Sequence, residues 1–323
     1  MNADPELRSL ARSGLRVSPV GFGLAAVGRP AYINIGHSQD LGPERSVEAL
    51  RRRSEALLDA AYAAGIRYYD AARSYGRAEE FLGGWLRTRG LAPGAVTVGS
   101  KWGYTYTGDW RLDAERQEVK DLSVDTLRRQ LEETRELLGD HLSLYQIHSA
   151  TRESGVLDDP AVLADLQALR ESRVAVGLTV TGPNQAETVG AATALGSFDT
   201  VQATWNLLER SAEHALERAH AAGMGVIVKE ALANGRLTAR GEGGTLSAIA
   251  RELGVSPDSL AIAAALSKPW AGVVLSGAAT KAQLESNLAA LEVDYDEQID
   301  RRLGELTEDP GEYWSRRSGL AWT

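Results

Sequence analysis

Tyr68-Tyr69-Asp70-Ala71-Ala72-Arg73-Ser74-Tyr75-Gly76 is the stretch that decides how this chain is read. A short apolar run from Ile66 leads into it, an aspartate interrupts the run, and a tyrosine beside a glycine ends it. A helical pattern over residues 78–89 follows at once. The stretch therefore reads as the end of a strand, a tight loop and the start of a helix, with a carboxylate and a phenol on either side of the boundary.

The same unit recurs along the chain. Strand patterns are expected at residues 66–71, 96–102, 142–148, 174–180, 200–206, 225–230 and 272–276. Helical patterns lie between them at 78–89, 123–138, 160–171, 184–195, 212–222 and 245–266, the last broken near Ser256-Pro257. Upstream, a helix over 46–64 is closed by Gly65, and Val20-Gly21-Phe22-Gly23-Leu24 supplies a first inner strand. Residues 10–17, turning at Arg12-Ser13-Gly14, read as a small hairpin, and residues 31–44 as an irregular loop. After Ser276 come helices at 281–291 and 297–306 and a tail carrying Trp314 and Trp322. Strands alternating with helices imply a parallel sheet. Eight such units predict an α/β fold, a (β/α)8 TIM barrel with an N-terminal β-hairpin and a C-terminal extra helix and tail, one domain over residues 1–323. A doubly wound sheet is the alternative. Gly21 to Ala26 matches the GxGxxA dinucleotide fingerprint, but Gly28, Arg29 and Pro30 break the helix that should open there, so it reads as a glycine-softened barrel strand.

Bulk composition narrows the class. Of 323 residues, 35 are basic and 44 acidic, a net charge of −9, which argues against a nucleic-acid or anionic-membrane partner. The absence of cysteine excludes disulfides and thiolate metal sites and fits a reducing cytoplasm. Met1 to Glu6 has no secretory leader pattern, and no uncharged run approaches the ~20 residues of a membrane helix. A soluble, cytoplasmic protein is expected.

A barrel places chemistry at the C-terminal ends of its strands. Those ends carry Asp70 with Tyr75 just beyond, Lys101-Trp102, and Gln146-Ile147-His148. A phenol has an unperturbed pKa near ~10, too high for efficient proton exchange near neutrality. An adjacent ammonium is expected to lower it, an aspartate to hold that ammonium in place, and a histidine to hydrogen-bond a substrate oxygen. Taken singly, each residue also has a structural reading: a solvated lysine, a packed histidine or tyrosine, a capping aspartate. Together on three successive strand ends, they suit protonation of a carbonyl oxygen as hydride reaches its carbon.

With these residues in view, the chain resembles the aldo-keto reductases from the hairpin to Asn287. The resemblance is carried by Tyr69 to Gly76 with Ala78 to Gly83, by Ser100-Lys101 and Ile147-His148, by Gln202 to Arg210, and by Gly277 to Leu288. It implies a metal-free enzyme using NADPH, or less often NADH, with Tyr75 as general acid, Lys101 and Asp70 as its tuning pair and His148 orienting the substrate. It further implies that Gln202 and Thr179 hold the nicotinamide carboxamide, that Lys229 packs on the nicotinamide face, and that Gln283 and Asn287 keep adenosine-end positions. Ser276, Gly277 and Thr280 would offer donors to phosphate ahead of a helix N-terminus. Three positions depart from the family pattern: Val180 for a polar residue, Lys229 for an aromatic ring or arginine, Ser286 for glutamate. Basic residues that some members use for a 2′-phosphate are absent at Gly277 and Gln283, leaving Lys281 and Arg236 as candidates.

Aromatics with polar handles dominate the expected loops: Tyr32, Trp102, Tyr104, Tyr106, Trp110 and Trp314, beside Ile33. The chain has 7 tryptophans and 10 tyrosines against 3 phenylalanines, which suits a pocket for a small carbonyl or sugar-like substrate. Tyr32, Trp102 and Tyr104 are the expected substrate contacts, and residues 104–120 an expected lid. Carbonyl reduction is the leading reading. A sugar or polyol dehydrogenase working oxidatively, or a cofactor-sensing binding subunit without turnover, are the alternatives.

Overall fold

The protein is described here by a computed structural model covering residues 7–241 and 244–323; Met1 to Glu6, on which the expectation about a leader falls, lie outside the described residues. The chain enters through β1 (Arg8–Ser9) and β2 (Arg16–Val17), an antiparallel pair, and then the first barrel strand β3 (Val20–Gly23). A short α1 (His37–Leu41) and a long α2 (Val47–Ala63) lead to β4 (Tyr68–Asp70), α3 (Ala78–Thr88) and β5 (Thr97–Trp102). A hairpin of β6 (Tyr104–Tyr106) and β7 (Glu118–Lys120) precedes α4 (Val124–Leu138) and β8 (Leu142–Ala150). Next come α5 (Pro160–Glu171), β9 (Ala175–Val180), α6 (Gln185–Leu195), β10 (Thr200–Thr204), α7 (Glu213–Ala221) and β11 (Gly225–Lys229). The chain finishes with α8 (Thr245–Leu253), α9 (Pro257–Leu266), β12 (Val273–Ser276), α10 (Lys281–Leu288), α11 (Glu297–Leu303) and α12 (Pro310–Ser318).

Strands β3, β4, β5, β8, β9, β10, β11 and β12 close into an eight-stranded parallel barrel in chain order, as the alternation predicts. Local chemistry sets several boundaries. Ser46 and Ser123 accept from Ala49 N and Thr126 N in the first turns of α2 and α4, while Asp159-Pro160, Ser256-Pro257 and Asp309-Pro310 each pair an N-cap oxygen with a proline at the first helical position. The Ser256-Pro257 pair divides the expected 245–266 helix into α8 and α9. Two expectations are corrected: the loop at 31–44 contains α1, and the tail residues 310–318 are helical; the stretch 104–120, the expected lid, is built on the β6–β7 pairing.

Alternate residues share a face of each strand, so the inward faces stack in layers. The lower layer is apolar: Tyr68, Leu144, Ala175, Ile227 and Val273 pack together with Leu10 and Val17 of the hairpin region. Leu10 plugs the bottom, since a Cβ on Gly225 or Gly272 would lie 2.6 or 2.4 Å from its side chain. One step further up the barrel the layer turns polar, with Asp70 beyond Tyr68 on β4, Lys229 beyond Ile227 on β11, and Gln202 on β10. A larger apolar shell packs the barrel exterior against the helices.

Gly99 makes room for this transition. A Cβ there would sit 2.7 Å from the Tyr68 hydroxyl and 3.4 Å from Cζ. Gly99→Ala is therefore expected to destabilise the fold by about 1–3 kcal/mol through overpacking. Removing the hydroxyl in a Gly99→Ala/Tyr68→Phe double variant should recover at least half of that loss in urea unfolding; strictly additive losses would place the strain elsewhere.

Candidate active site

Asp70 ends β4 and is 2% exposed. Its carboxylate accepts from Lys101 Nζ on β5, from Gln202 Nε2 at 2.9 Å on β10, and from the Tyr68 hydroxyl at 3.2 Å. Because β4 and β10 stand on opposite sides of the closed barrel, this carboxylate sits near the barrel axis. Lys101 Nζ also donates to Ala71 O at 3.1 Å and lies 4.9 Å from the centroid of the Tyr75 ring.

Tyr75 is carried by the loop after β4, and buried charge fixes that loop. Glu79 accepts from Ser100 Oγ at 2.5 Å, from Thr134 Oγ1 at 2.8 Å and from Arg73, whose guanidinium also meets Glu133 at 2.8 Å. On the other side, Gly28 and Gly76 let two loop backbones touch: a Cβ on Gly28 would fall 2.3 Å from Tyr75 O, and one on Gly76 2.5 Å from Gly28 O. That approach brings Arg29, itself 2% exposed, beside Tyr75. Arg29 Nη1 donates to Ser74 O at 2.9 Å and to Glu118 at 2.7 Å, and its guanidinium lies 5.5 Å from the Tyr75 ring, 5.4 Å from Tyr32 and 4.5 Å from Trp322.

His148 on β8 meets Tyr75 and Tyr104 edge-on, at centroid distances of 5.5 and 5.0 Å, with Ser74 Oγ 3.5 Å from Nδ1. Burial, followed by the charges of Lys101, Lys229, Arg29 and Lys120, holds its imidazole well below the ordinary range, so it is neutral at physiological pH. For Tyr75 the expected lowering is corrected. Burial and then the Asp70 carboxylate push the phenol well above its ordinary range, with Arg29 the leading opposing charge. The resting phenol keeps its proton.

These side chains open into a cavity of about 540 Å³ that runs from Asp70, Tyr75, Tyr104 and His148 past Gln202 and Lys229 to Ser276–Gly277 and then Gln283 and Asn287. The middle of the cleft fits a dinucleotide. Gly277 faces open space where a side chain would stand, Ala278 and Ala279 follow, and α10 begins under the Thr280 cap, whose hydroxyl accepts from Gln283 N at 3.2 Å. The free N–H groups of that first helical turn suit a diphosphate. Asn287 lies 2.8 Å from Ser276 Oγ; with its oxygen turned to that hydroxyl, its nitrogen donates to Gln283 O at 3.1 Å and Asp258 at 3.0 Å.

Lys229 ends β11. Its Nζ donates to Thr204 Oγ1 at 3.0 Å, lies 4.0 Å from Glu230 and 5.8 Å from the Trp314 ring. Burial outweighs Glu230 and brings this amine down to about 8. Glu230, in a left-handed conformation with φ 55°, is clasped by Arg317 of α12 at 2.6 Å. Burial acts to raise its pKa, but the charges of Arg317 and Lys229 prevail and hold the carboxyl down to about 2.

Not every expected residue reaches the cleft. Trp102 is fully buried in the outer shell, because Lys101 takes the inward position and the next residue must face outward. The Thr179 hydroxyl accepts from Ser149 N at 2.7 Å, supporting a residue with φ 56°, while Thr181 lines the cavity instead. Trp314 is buried behind Lys229, and Trp110 donates to Arg45 O at 2.7 Å. Arg236 is engaged with Glu308 at 2.9 Å and Lys281 is exposed; neither lines the cavity. Tyr32 and Tyr104 do line it, as do residues the sequence reading missed: Arg29, Glu118, Glu230, Arg317 and Trp322. Arg29 carried one signal, a lone charge within the apolar run Leu24 to Ala31. Trp322 reaches the cleft because Thr323 and Tyr32 exchange backbone hydrogen bonds at 3.2 and 3.1 Å.

The model of the Aldo/keto reductase family matches residues 33–307. The uncharacterized oxidoreductase YrpG of Bacillus subtilis (strain 168) is 25% identical over 341 residues, covering 95% of this chain and 97% of that protein. Pyridoxal 4-dehydrogenase of Microbacterium luteolum is 28% identical over 168 residues, 46% of this chain and 44% of that one. Among solved structures, the holo form of aldo-keto reductase AKR11C1 from Bacillus halodurans has the same fold with a TM-score of 0.73 at 21% identity, covering 94% of this chain and 97% of its own.

The Arg317–Glu230 clasp generates a prediction. A carboxyl lowered on folding, here to about 2, contributes stability that is present above its ordinary value of 4.5 and lost as pH falls through about 2. Arg317→Met should cost the tail about 2 kcal/mol of local stability, roughly a 30-fold increase in opening, discounted because Arg317 keeps a solvent-facing side. Hydrogen exchange over residues 317–323 measures it; unchanged protection would show that the clasp does not hold the tail.

Proposed function

This chain belongs to the aldo/keto reductase family of oxidoreductases, and on that premise we propose that it reduces an aldehyde or ketone to the alcohol using a nicotinamide cofactor. The observation that carries the proposal is the meeting of Asp70, Lys101, Tyr75 and His148 at one end of a cleft whose middle suits a dinucleotide. The bound reduced nicotinamide supplies the hydride. The family resemblance favours NADPH, with NADH open. In the same reading the chain is one catalytic domain over residues 1–323, working in a cytoplasm.

The residues divide the proton side between them. Neutral His148 donates a ring N–H to the carbonyl oxygen and fixes its direction. Tyr75 donates its phenolic proton to that oxygen as negative charge develops there. The charge left on the phenol is met by the Lys101 ammonium across the ring and by Arg29, while Asp70 and Gln202 keep Lys101 from drifting into the cleft. Oxidation of an alcohol is the same sequence reversed, which keeps the sugar or polyol dehydrogenase as a second direction of one site. Arg29 and Glu118 offer a donor and an acceptor side by side, which supports a hydroxylated substrate, and Tyr32, Tyr104 and Trp322 offer flat walls. The relative named for pyridoxal adds a flat aldehyde to the compounds worth testing.

Turnover of an aldehyde panel, aldoses and pyridoxal included, with NADPH and with NADH tests the proposal. Tyr75→Phe should lower kcat by about 10²–10⁴-fold while leaving cofactor dissociation constants within twofold. Undiminished turnover in that variant would defeat the mechanism. A wild-type protein that binds cofactor, turns over nothing and retains a protein partner would instead be the binding subunit.

Lys229 adds a pH dependence. If its amine lies against the nicotinamide, its charge repels the positively charged oxidised ring more than the neutral reduced one. Below about 8 the amine is protonated. The ratio of oxidised to reduced dissociation constants is therefore expected to be larger at pH 6.5 than at pH 9.5, and Lys229→Met should flatten it. Equal ratios at both pH values in the wild type would remove Lys229 from the nicotinamide face.

A further inference from the structure

The end of the cleft beyond Ser276–Gly277 is built around a carboxylate. Asp40, in α1, lines the cavity with a side chain only 9% exposed. Gln283 Nε2 donates to its Oδ2 at 2.8 Å, and Arg240 clasps both oxygens, Nη1 to Oδ2 at 2.8 Å and Nη2 to Oδ1 at 2.5 Å. Asp258, in the first turn of α9, also lines this end. The cations nearby are committed. Arg53 donates to the carbonyls of Asp40 at 2.6 Å, Leu41 at 2.9 Å and Ala279 at 3.3 Å. Arg240 additionally donates to Gly36 O at 3.1 Å, and a Cβ on Gly36 would lie 2.2 Å from its Nη1, so the guanidinium is seated against that turn. Among the described residues lining this end, two carboxylates therefore face one guanidinium, which is already paired.

We propose that this end receives the adenosine ribose and that Asp40 makes the protein NADH-preferring, against the NADPH that the family resemblance favours. The placement rests on the function proposed above. With the reacting ring beside Tyr75 and the diphosphate at the start of α10, the continuation of the same cavity leads to Gln283, Asn287, Asp40 and Arg240. A free ribose 2′-hydroxyl is a donor, and a carboxylate held by two partners is a fixed acceptor for it. A 2′-phosphate is an acceptor with nearly two negative charges. To bind, it must break the Arg240–Asp40 pair and then stand beside the released carboxylate. Lys281 and Arg236 do not line the cavity, so they offer no relief.

Fluorescence titration of the full chain with NADH and with NADPH, without substrate, tests this directly. The wild type is expected to bind NADH at least about tenfold more tightly. Asp40→Asn, which keeps the shape but frees Arg240 for a phosphate, should reduce that ratio roughly tenfold by strengthening NADPH. Adding Arg240→Ala to it should abolish the gain. Should D40N fail to fold, Arg240→Ala alone keeps the test, since leaving Asp40 unopposed should weaken NADPH further than NADH. Tighter or equal NADPH binding by the wild type would overturn the inference while leaving the oxidoreductase reading intact. An unchanged ratio in D40N would remove Asp40 as its cause, and binding of neither nucleotide would overturn both.

Discussion

The rest of the site depends on one buried carboxylate on the barrel axis. Asp70 is out of water, and a charge so placed persists only with partners that satisfy it. It takes them from its own strand, from the next strand and from the strand opposite, as Tyr68, Lys101 and Gln202. This arrangement exists because the polar layer lies directly above an apolar one, so that Tyr68 is both a packing residue below and a donor above. It also forbids a side chain at Gly99, where the tyrosine hydroxyl comes nearest. The ammonium of Lys101 is thereby pinned under the Tyr75 ring by forces that have nothing to do with a substrate.

Tyr75 and His148 then share an environment that acts on them in opposite directions. Burial and Asp70 keep the phenol protonated, while burial and several cations keep the imidazole neutral. Both resting forms can donate a hydrogen bond to one oxygen. In the proposed reduction, the surrounding cations would gain little from a neutral carbonyl and much from the charge that develops on its oxygen. They are fixed in place beforehand, so their interaction strengthens along the reaction without rearrangement. On that proposal Lys101 would stabilise the developing charge preferentially rather than lower the resting pKa of Tyr75.

How much of this was legible depends on the range of the interactions involved. The barrel was legible because eight strand–helix units repeat in order, and several boundaries carry a side-chain cap with or without a proline at the first helical position. Asp70, Lys101 and His148 were legible because a polar residue ending an apolar strand has one place to go. Trp102 was misread although the rule that excludes it is local: neighbours on a strand face opposite ways, and Lys101 had already taken the inward face. Arg29 with Glu118, Glu230 with Arg317, and Asp40 with Arg240 were beyond reach for a different reason. Each pair joins loops or a tail distant in sequence, and no periodicity records which loop meets which.

Those long-range pairs also join the two walls of the cleft. Lys229 at the C-terminal end of β11 sits beside Glu230, and Glu230 is clasped by Arg317 from the C-terminal helix. A few residues on, the tail lays Trp322 over Arg29, which in turn holds the backbone of Ser74 next to Tyr75. The surface that a substrate touches is therefore continuous, through charged contacts, with the group that would protonate it. Replacing a tail residue to admit a larger substrate changes more than volume: it alters the position of Arg29, and Arg29 is the leading charge that opposes the upward push on the Tyr75 phenol. In the proposed reaction, substrate fit and proton donation would share this wall, so one could not be varied at the tail while the other is held constant.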